Sequence, residues 1–313
     1  VGGFWFLLQI FNGNYDIIVD FIEYQIHLFS KEGAGHGGFL LYHFVILFVG
    51  VFPASVFAIK SFYRNYDDTL HQQMRLMMVV LFWTVLILFT IVNTKIVHYS
   101  SMCYFPLTYL AAYVINRIWN GEMKPGKWIP IGVGFLGAFY ALVTFALPWI
   151  GRNAPEIANS GLIKDKFAIA NMQANVFWSG WESITGIILL AGVVYFIIKW
   201  RKQQLQRATY VLLGSAALFF FLSMTLMTPK IEGYSQRAAI EFYKEKADKD
   251  VYIEPLGFKS YAHYFYGKRG TRPNGEIITE SWLLKGDIDK TAWFVIKTRS
   301  EEHTSELQSL LII

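Results

Sequence analysis

Apolar residues in this chain fall in long, nearly uninterrupted runs. A hydrocarbon layer about 30 Å thick takes roughly 20 apolar residues in a helix, and five runs meet that length: 39–59, 76–93, 128–150, 183–200 and 208–228. A sixth, 102–118, is shorter and carries Pro106 in its first turn. It fits a full span or a re-entrant segment. The short loops flanking it keep alternating sides only if it crosses, so six transmembrane helices are expected over 39–228.

Polar positions then assign the sides. Lys60, Arg64 and Arg75 follow the first run; Arg117, Lys124 and Lys127 follow the third in chain order; Lys199, Arg201, Lys202 and Arg207 follow the fifth. The alternate loops are poorer, with Lys95 alone in one and Arg152, Lys164 and Lys166 spread over the other. Cytoplasmic loops collect Lys and Arg. The expected outer face therefore carries residues 12–38, the loop around Lys95, residues 151–182 and everything after 228.

The pattern changes at both ends. Residues 229–298 read as helix, short strand, short helix (SYAHYFYG) and an alternating strand (TAWFVIKT), a small α/β domain placed outside by the same count. Residues 15–29 bring Ile17, Ile18, Phe21, Ile22 and Ile26 to one helical face. That fits an amphipathic helix at the outer interface or one packed on the bundle. The opening VGGFWFLLQIF has no initiating Met, no basic flank and no signal-peptide pattern. It reads as the end of an apolar helix, with residues 1–38 then the tail of a truncated segment and the chain a C-terminal fragment. RSEEHTSELQS (299–309) resembles a translated sequencing adapter, so 299–313 are expected to stand outside the fold. The fold class expected is an all-α polytopic membrane bundle with a small C-terminal extracytoplasmic α/β domain.

Composition agrees with this. Of 313 residues, 54% are hydrophobic and only 16% charged, against about 25% charged in soluble domains. The net charge of +5 gives no reason to invoke nucleic acid. Cys103 is the only cysteine, so no internal disulfide forms.

Candidate chemistry gathers on the expected outer face. Loop 30–38, SKEGAGHGG, holds Lys31, Glu32 and His36 among glycines; loop 94–101, TKIVHYSS, holds Lys95, His98 and Tyr99, with Asn93 and Tyr104 beside it. A lysine next to a histidine at the mouth of a helix bundle can bind a phosphate, the ammonium giving charge and the imidazole a hydrogen bond. Tyr99 adds a donor and an aromatic face. Simpler readings stand beside this one. Lys95 can snorkel, His98 can be satisfied by backbone, the tyrosines can form an interfacial belt, and the glycines around His36 can merely turn the chain. A divalent metal on His36, His98 and Glu32 is chemically open, but nothing in the spacing demands it. His43, inside an apolar run, should face the bundle interior. Glu182 reads as an acid at a helix N-terminus.

The stretch TKIVHYSSMCYFPLTYLAA resembles the Lys-x-x-His-Tyr loop and proline-bearing helix of bacterial GT-C membrane glycosyltransferases. These enzymes include the protein O-mannosyltransferases and the aminoarabinose transferase of lipid A. FIEYQIHLFSKEGAGHGGFLLYHF is similar to the family's Gly-His segment, with departures: His27 stands where relatives often carry arginine, and Leu40 replaces the usual proline region. The resemblance covers residues 1–298. It implies an undecaprenyl-phosphate-linked sugar as donor, a lipid or protein acceptor, no nucleotide sugar, and an active site at the outer face of the bacterial inner membrane. It implies that Lys95, His98, Tyr99 and His36 contact the donor phosphate and substrate. The catalytic acid would lie upstream of residue 1, leaving the fragment inactive alone. A membrane transporter or lipid flippase is the competing class, and a non-catalytic scaffold a third.

Overall fold

The computed structural model describes residues 3–30, 38–63, 70–258, 260–268 and 278–296. The chain divides into two compact units. One is Val1–Tyr140 with Ile188–Ala217; the other is Ala141–Ile187 with Leu218–Ile313.

The first unit opens with α1 (Phe4–Phe11) and α2 (Tyr15–Ser30), joined by aromatic contacts of Phe21 with Trp5 and Phe6. Ile17, Ile22 and Ile26 of α2 are exposed. The run read as a first span is not one helix. It breaks into α3 (Tyr42–Gly50) and α4 (Ala54–Ala58) with a 3-10 turn (Ile59–Phe62), and the two halves are bent by 111°. Pro53 is the physical reason, since it has no amide hydrogen to give the preceding turn. Two hydroxyls answer carbonyls at the break: Ser55 Oγ donates to Phe48 O at 2.6 Å and Tyr140 Oη to Val49 O at 2.7 Å. Such repair lets a proline break sit at membrane depth.

Next come α5 (Leu70–Ile91), a 3-10 segment (Val97–Cys103) and α6 (Tyr104–Trp119), followed by α7 (Trp128–Arg152). Side-chain contacts fix which ends meet. Arg75 Nη1 donates to Ser61 O at 2.6 Å, and Lys60 Nζ donates to Lys124 O. At the other end of α5, His43 and Ser100 are joined at 3.1 Å. The bent pair therefore leads from the Lys95 end to the Lys124 end, α5 returns, and α6 goes back again. Lys60, Arg75 and Lys124 thus share one end, as the loop count requires. The core includes Phe57, Leu86, Leu110, Val114 and Leu136. Glycines bring helices close: a Cβ on Gly137 would stand 2.6 Å from Val193 Cγ2, and one on Gly132 2.9 Å from Val56 Cγ1. Leu76, Val80, Ile87 and Phe135 face outward, as lipid-facing side chains do.

Among the described residues, four helical segments are long and apolar enough to cross a membrane, or five if the bent pair counts as one. The expectation was six. The difference lies in the break at Pro53 and in α6, whose 16 residues reach about 24 Å.

The second unit begins with the Ala141–Arg152 end of α7, then α8 (Ala154–Asn159), α9 (Lys166–Met172) and the turn into α10 (Ile184–Arg201). It resumes at the end of α11 (Leu205–Leu226) with α12 (Thr228–Gly233), α13 (Arg237–Lys246), β1 (Tyr252–Leu256), α14 (Ala262–Tyr266), α15 (Glu280–Lys285) and β2 (Ala292–Ile296). β1 and β2 pair in parallel from Tyr252↔Ala292 to Leu256↔Ile296. Alternation divides the pair between two cores. Tyr252, Leu256, Phe294 and Ile296 pack with Leu283, while Ile253 and Val295 pack with Phe242 and Tyr243. The small α/β piece is thus present. It contains a helix, α15, that the sequence reading missed; Thr279 caps it, its Oγ1 accepting from Trp282 N at 3.3 Å. Residues 299–313 lie outside the described residues.

Candidate functional site

Helix α5 ends with carbonyls that no further turn can satisfy. Lys95 folds back to answer them. Its Nζ donates to Phe89 O at 3.1 Å, Thr90 O at 2.7 Å and Val92 O at 2.6 Å. Lysines favour helix C-termini because they meet both the bare carbonyls and the negative end of the dipole. Lys95 is only 6% exposed, and burial draws its ammonium below the ordinary range. It neither snorkels nor points a spare donor outward: all three N–H groups are spent on backbone. Gly38 lies against its stem, where a Cβ would come 2.8 Å from Lys95 Cγ. A larger residue at 38 would push the lysine off its helix end.

Around this cap stands an aromatic layer. The His43 ring meets Tyr42 at 5.1 Å and Phe89 at 6.2 Å, and Phe89 meets Tyr99 at 5.5 Å. His43 is fully buried, as the sequence suggested. Its Nδ1 bonds Ser100 Oγ, and its Nε2 has no partner among the described residues. His98 is exposed and Tyr99 half-buried, their rings edge-to-face at 5.1 Å. Lys95 thus closes the end of α5, and His98 and Tyr99 follow it in the 3-10 segment. His36 lies outside the described residues, as do Lys31 and Glu32. Among the described residues no group of three His, Cys, Asp or Glu could hold a metal ion.

A second polar cluster lies in the other unit. Glu182 is 3% exposed. Its carboxylate accepts from Ser179 N at 3.1 Å, Ser179 Oγ at 2.9 Å, Gly180 N at 2.6 Å and Lys230 Nζ. Gly180 has φ +88°, a left-handed conformation that glycine adopts without strain. Lys230 also donates to Phe177 O at 2.8 Å and lies over the Trp178 ring. Trp178 Nε1 donates to Tyr234 Oη at 2.9 Å, and Arg152 Nε to Trp178 O at 3.0 Å. Glu182 therefore grips the loop before its helix and a lysine from α12, rather than the N–H groups of α10. The sequence offered one signal for this, the Ser-Gly turn ahead of the acid; Lys230, 48 residues away, gave none.

The chain matches no protein-family model and no curated protein. Among solved structures it is similar to ArnT from Cupriavidus metallidurans, crystallised with undecaprenyl phosphate. The two superpose with a TM-score of 0.54 at 13% identity, over 98% of this chain and 49% of that one. The chain spans about half the length of the protein it resembles and shares its fold: a polytopic helical membrane bundle with a small α/β piece.

Proposed function

We propose that this chain is part of a membrane glycosyltransferase that moves a sugar from a polyprenyl-phosphate donor to a lipid or protein acceptor, at the outer face of a bacterial inner membrane. The observation that supports it best is the Lys95 turn, in a chain whose fold resembles ArnT, a GT-C aminoarabinose transferase. No carboxylate among the described residues pairs with Lys95, so the helix end carries a cation without an acidic partner just ahead of His98 and Tyr99 in the chain. A glycosyl phosphate leaves as an anion, and a fixed cation where that charge develops lowers the barrier.

The roles divide by exposure. His98 and Tyr99 offer hydrogen bonds to the donor phosphate, and His36 is a further substrate contact in this reading. Lys95 acts from behind, by its charge and by holding the turn. A transporter would place charged groups midway along its spans. Here the buried Arg75 lies in the second turn of α5 and the buried Glu182 just ahead of α10.

In a parent protein carrying the upstream sequence, His98→Ala should lower sugar transfer about ten- to a hundredfold, the weight of one hydrogen bond to a charged group. Membrane insertion should be unchanged. Residues 1–298 alone should transfer no sugar. Near-normal turnover by the variant, or transfer by the fragment, would overturn the reading.

A further inference from the structure

Between the bent pair and the first turns of α7 lies a trough of about 720 Å³. It belongs to the Lys60–Lys124 end of its unit, opposite the Lys95 turn. Phe48, Ile59, Ile131 and Phe135 wall it with hydrocarbon. Lys60 is the only charged residue lining it among the described residues. Its Nζ donates to the Lys124 carbonyl, and no carboxylate among the described residues pairs with it. Gly126 lies beside the ammonium, where a Cβ would stand 3.7 Å from Nζ, in ordinary contact. Tyr63 and Trp128 flank the same lining and are 72% and 80% exposed.

We propose that this trough holds an anionic glycerophospholipid, with one acyl chain along the apolar wall and its phosphate on Lys60. The trough is cut into helices whose outward side chains face lipid. Tyr and Trp at its rim match the level where amphipathic rings sit between hydrocarbon and water. Basic pockets between spans, on the side where Lys and Arg collect, hold anionic headgroups. Lys124 and Lys127 add positive charge in the adjoining loop. A protein helix filling the trough would leave the Lys60 charge against apolar surface unless it brought an acid; a phospholipid brings both the chain and the counter-charge.

The test uses the full chain in phosphatidylcholine nanodiscs carrying a minor fraction of phosphatidylglycerol with a photoreactive acyl chain. Crosslinks should map to residues 48–63 and 123–135. Labelling there should fall about fivefold in Lys60→Gln, the contribution of one lysine beside an anionic headgroup, and Lys60→Arg should restore it. Gly126→Leu, which keeps the charge and covers the ammonium, should reduce labelling as well. Photoreactive phosphatidylcholine at the same fraction should label these segments about as weakly as phosphatidylglycerol labels Lys60→Gln. Equal labelling by the two lipids, indifference to both substitutions, or absence of crosslinks in these segments would overturn the proposal. The last outcome would mean that protein covers the trough.

Discussion

Two lysine side chains that reach into the fold are handled in opposite ways. Lys230 meets a carboxylate: Glu182 takes its charge in a cluster closed by Ser179, Gly180 and nearby backbone. Lys95 meets three carbonyls of a helix end and no acid among the described residues. A helix dipole offers about half a charge, so the Lys230 charge is matched by a full carboxylate and the Lys95 charge is not. The Glu182 cluster is suited to holding a loop in place. The Lys95 turn is suited to meeting an anion.

The largest effect should come from breaking the neutral pair. Lys230→Met strands the Glu182 carboxylate and should cost about 3 kcal/mol, the low end for a buried pair because Lys230 is a quarter exposed. The double variant with Glu182→Gln should recover most of it in thermal unfolding. A single-variant cost under about 1 kcal/mol would reduce the cluster to an ordinary surface pair. Next, Gly151→Ala drives a methyl into the Trp178 indole and should cost about 2 kcal/mol by overpacking; an unchanged melting temperature would show that the loop gives way.

Lys95→Met sharpens the contrast from the other side. Loss of a capping cation should cost about 1 kcal/mol in stability, while sugar transfer by the parent protein falls about a hundredfold. A large stability loss with normal transfer would reverse the assignment of roles.

The smallest effect is a pH dependence in the sheet. The Tyr252 hydroxyl donates to Asp289 Oδ1 at 2.6 Å, which holds the carboxyl below its usual range and the phenol above its own. The lowered carboxyl contributes stability above about pH 4, lost as pH falls through the folded value. The raised phenol contributes below about pH 10, lost as pH climbs through its folded value. Protection of the β1 amides, taken relative to their intrinsic exchange at each pH, should therefore be greatest between the two limits, and Tyr252→Phe should flatten the profile.

Hydropathy made the membrane helices legible, because burial in lipid leaves a local mark on every residue of a span. It did not show the break at Pro53, since a proline within an apolar run fits a kinked or a broken helix equally. α6 fell short for a similar reason, its apolar length being marginal. The strands of the α/β piece were visible from alternation, but their parallel pairing, forty residues apart, was not. At the candidate site the residues themselves stood out, as a cation and two polar rings between greasy runs. The use of Lys95 as a cap was hidden because its partners are backbone carbonyls, although a basic residue just past a helix end is a known stop signal. Lys230 was invisible, since only tertiary contact joins it to Glu182.

The carbonyls at the Pro53 break are answered on different schedules. Ser55 lies seven residues from Phe48 and can reach it as soon as that stretch leaves the ribosome. Tyr140 lies 91 residues from Val49. Until α7 has entered the bilayer, the Val49 carbonyl lacks the phenol that completes its bonding. The hydrogen bonding of the bent pair is therefore completed by a helix synthesised well after it.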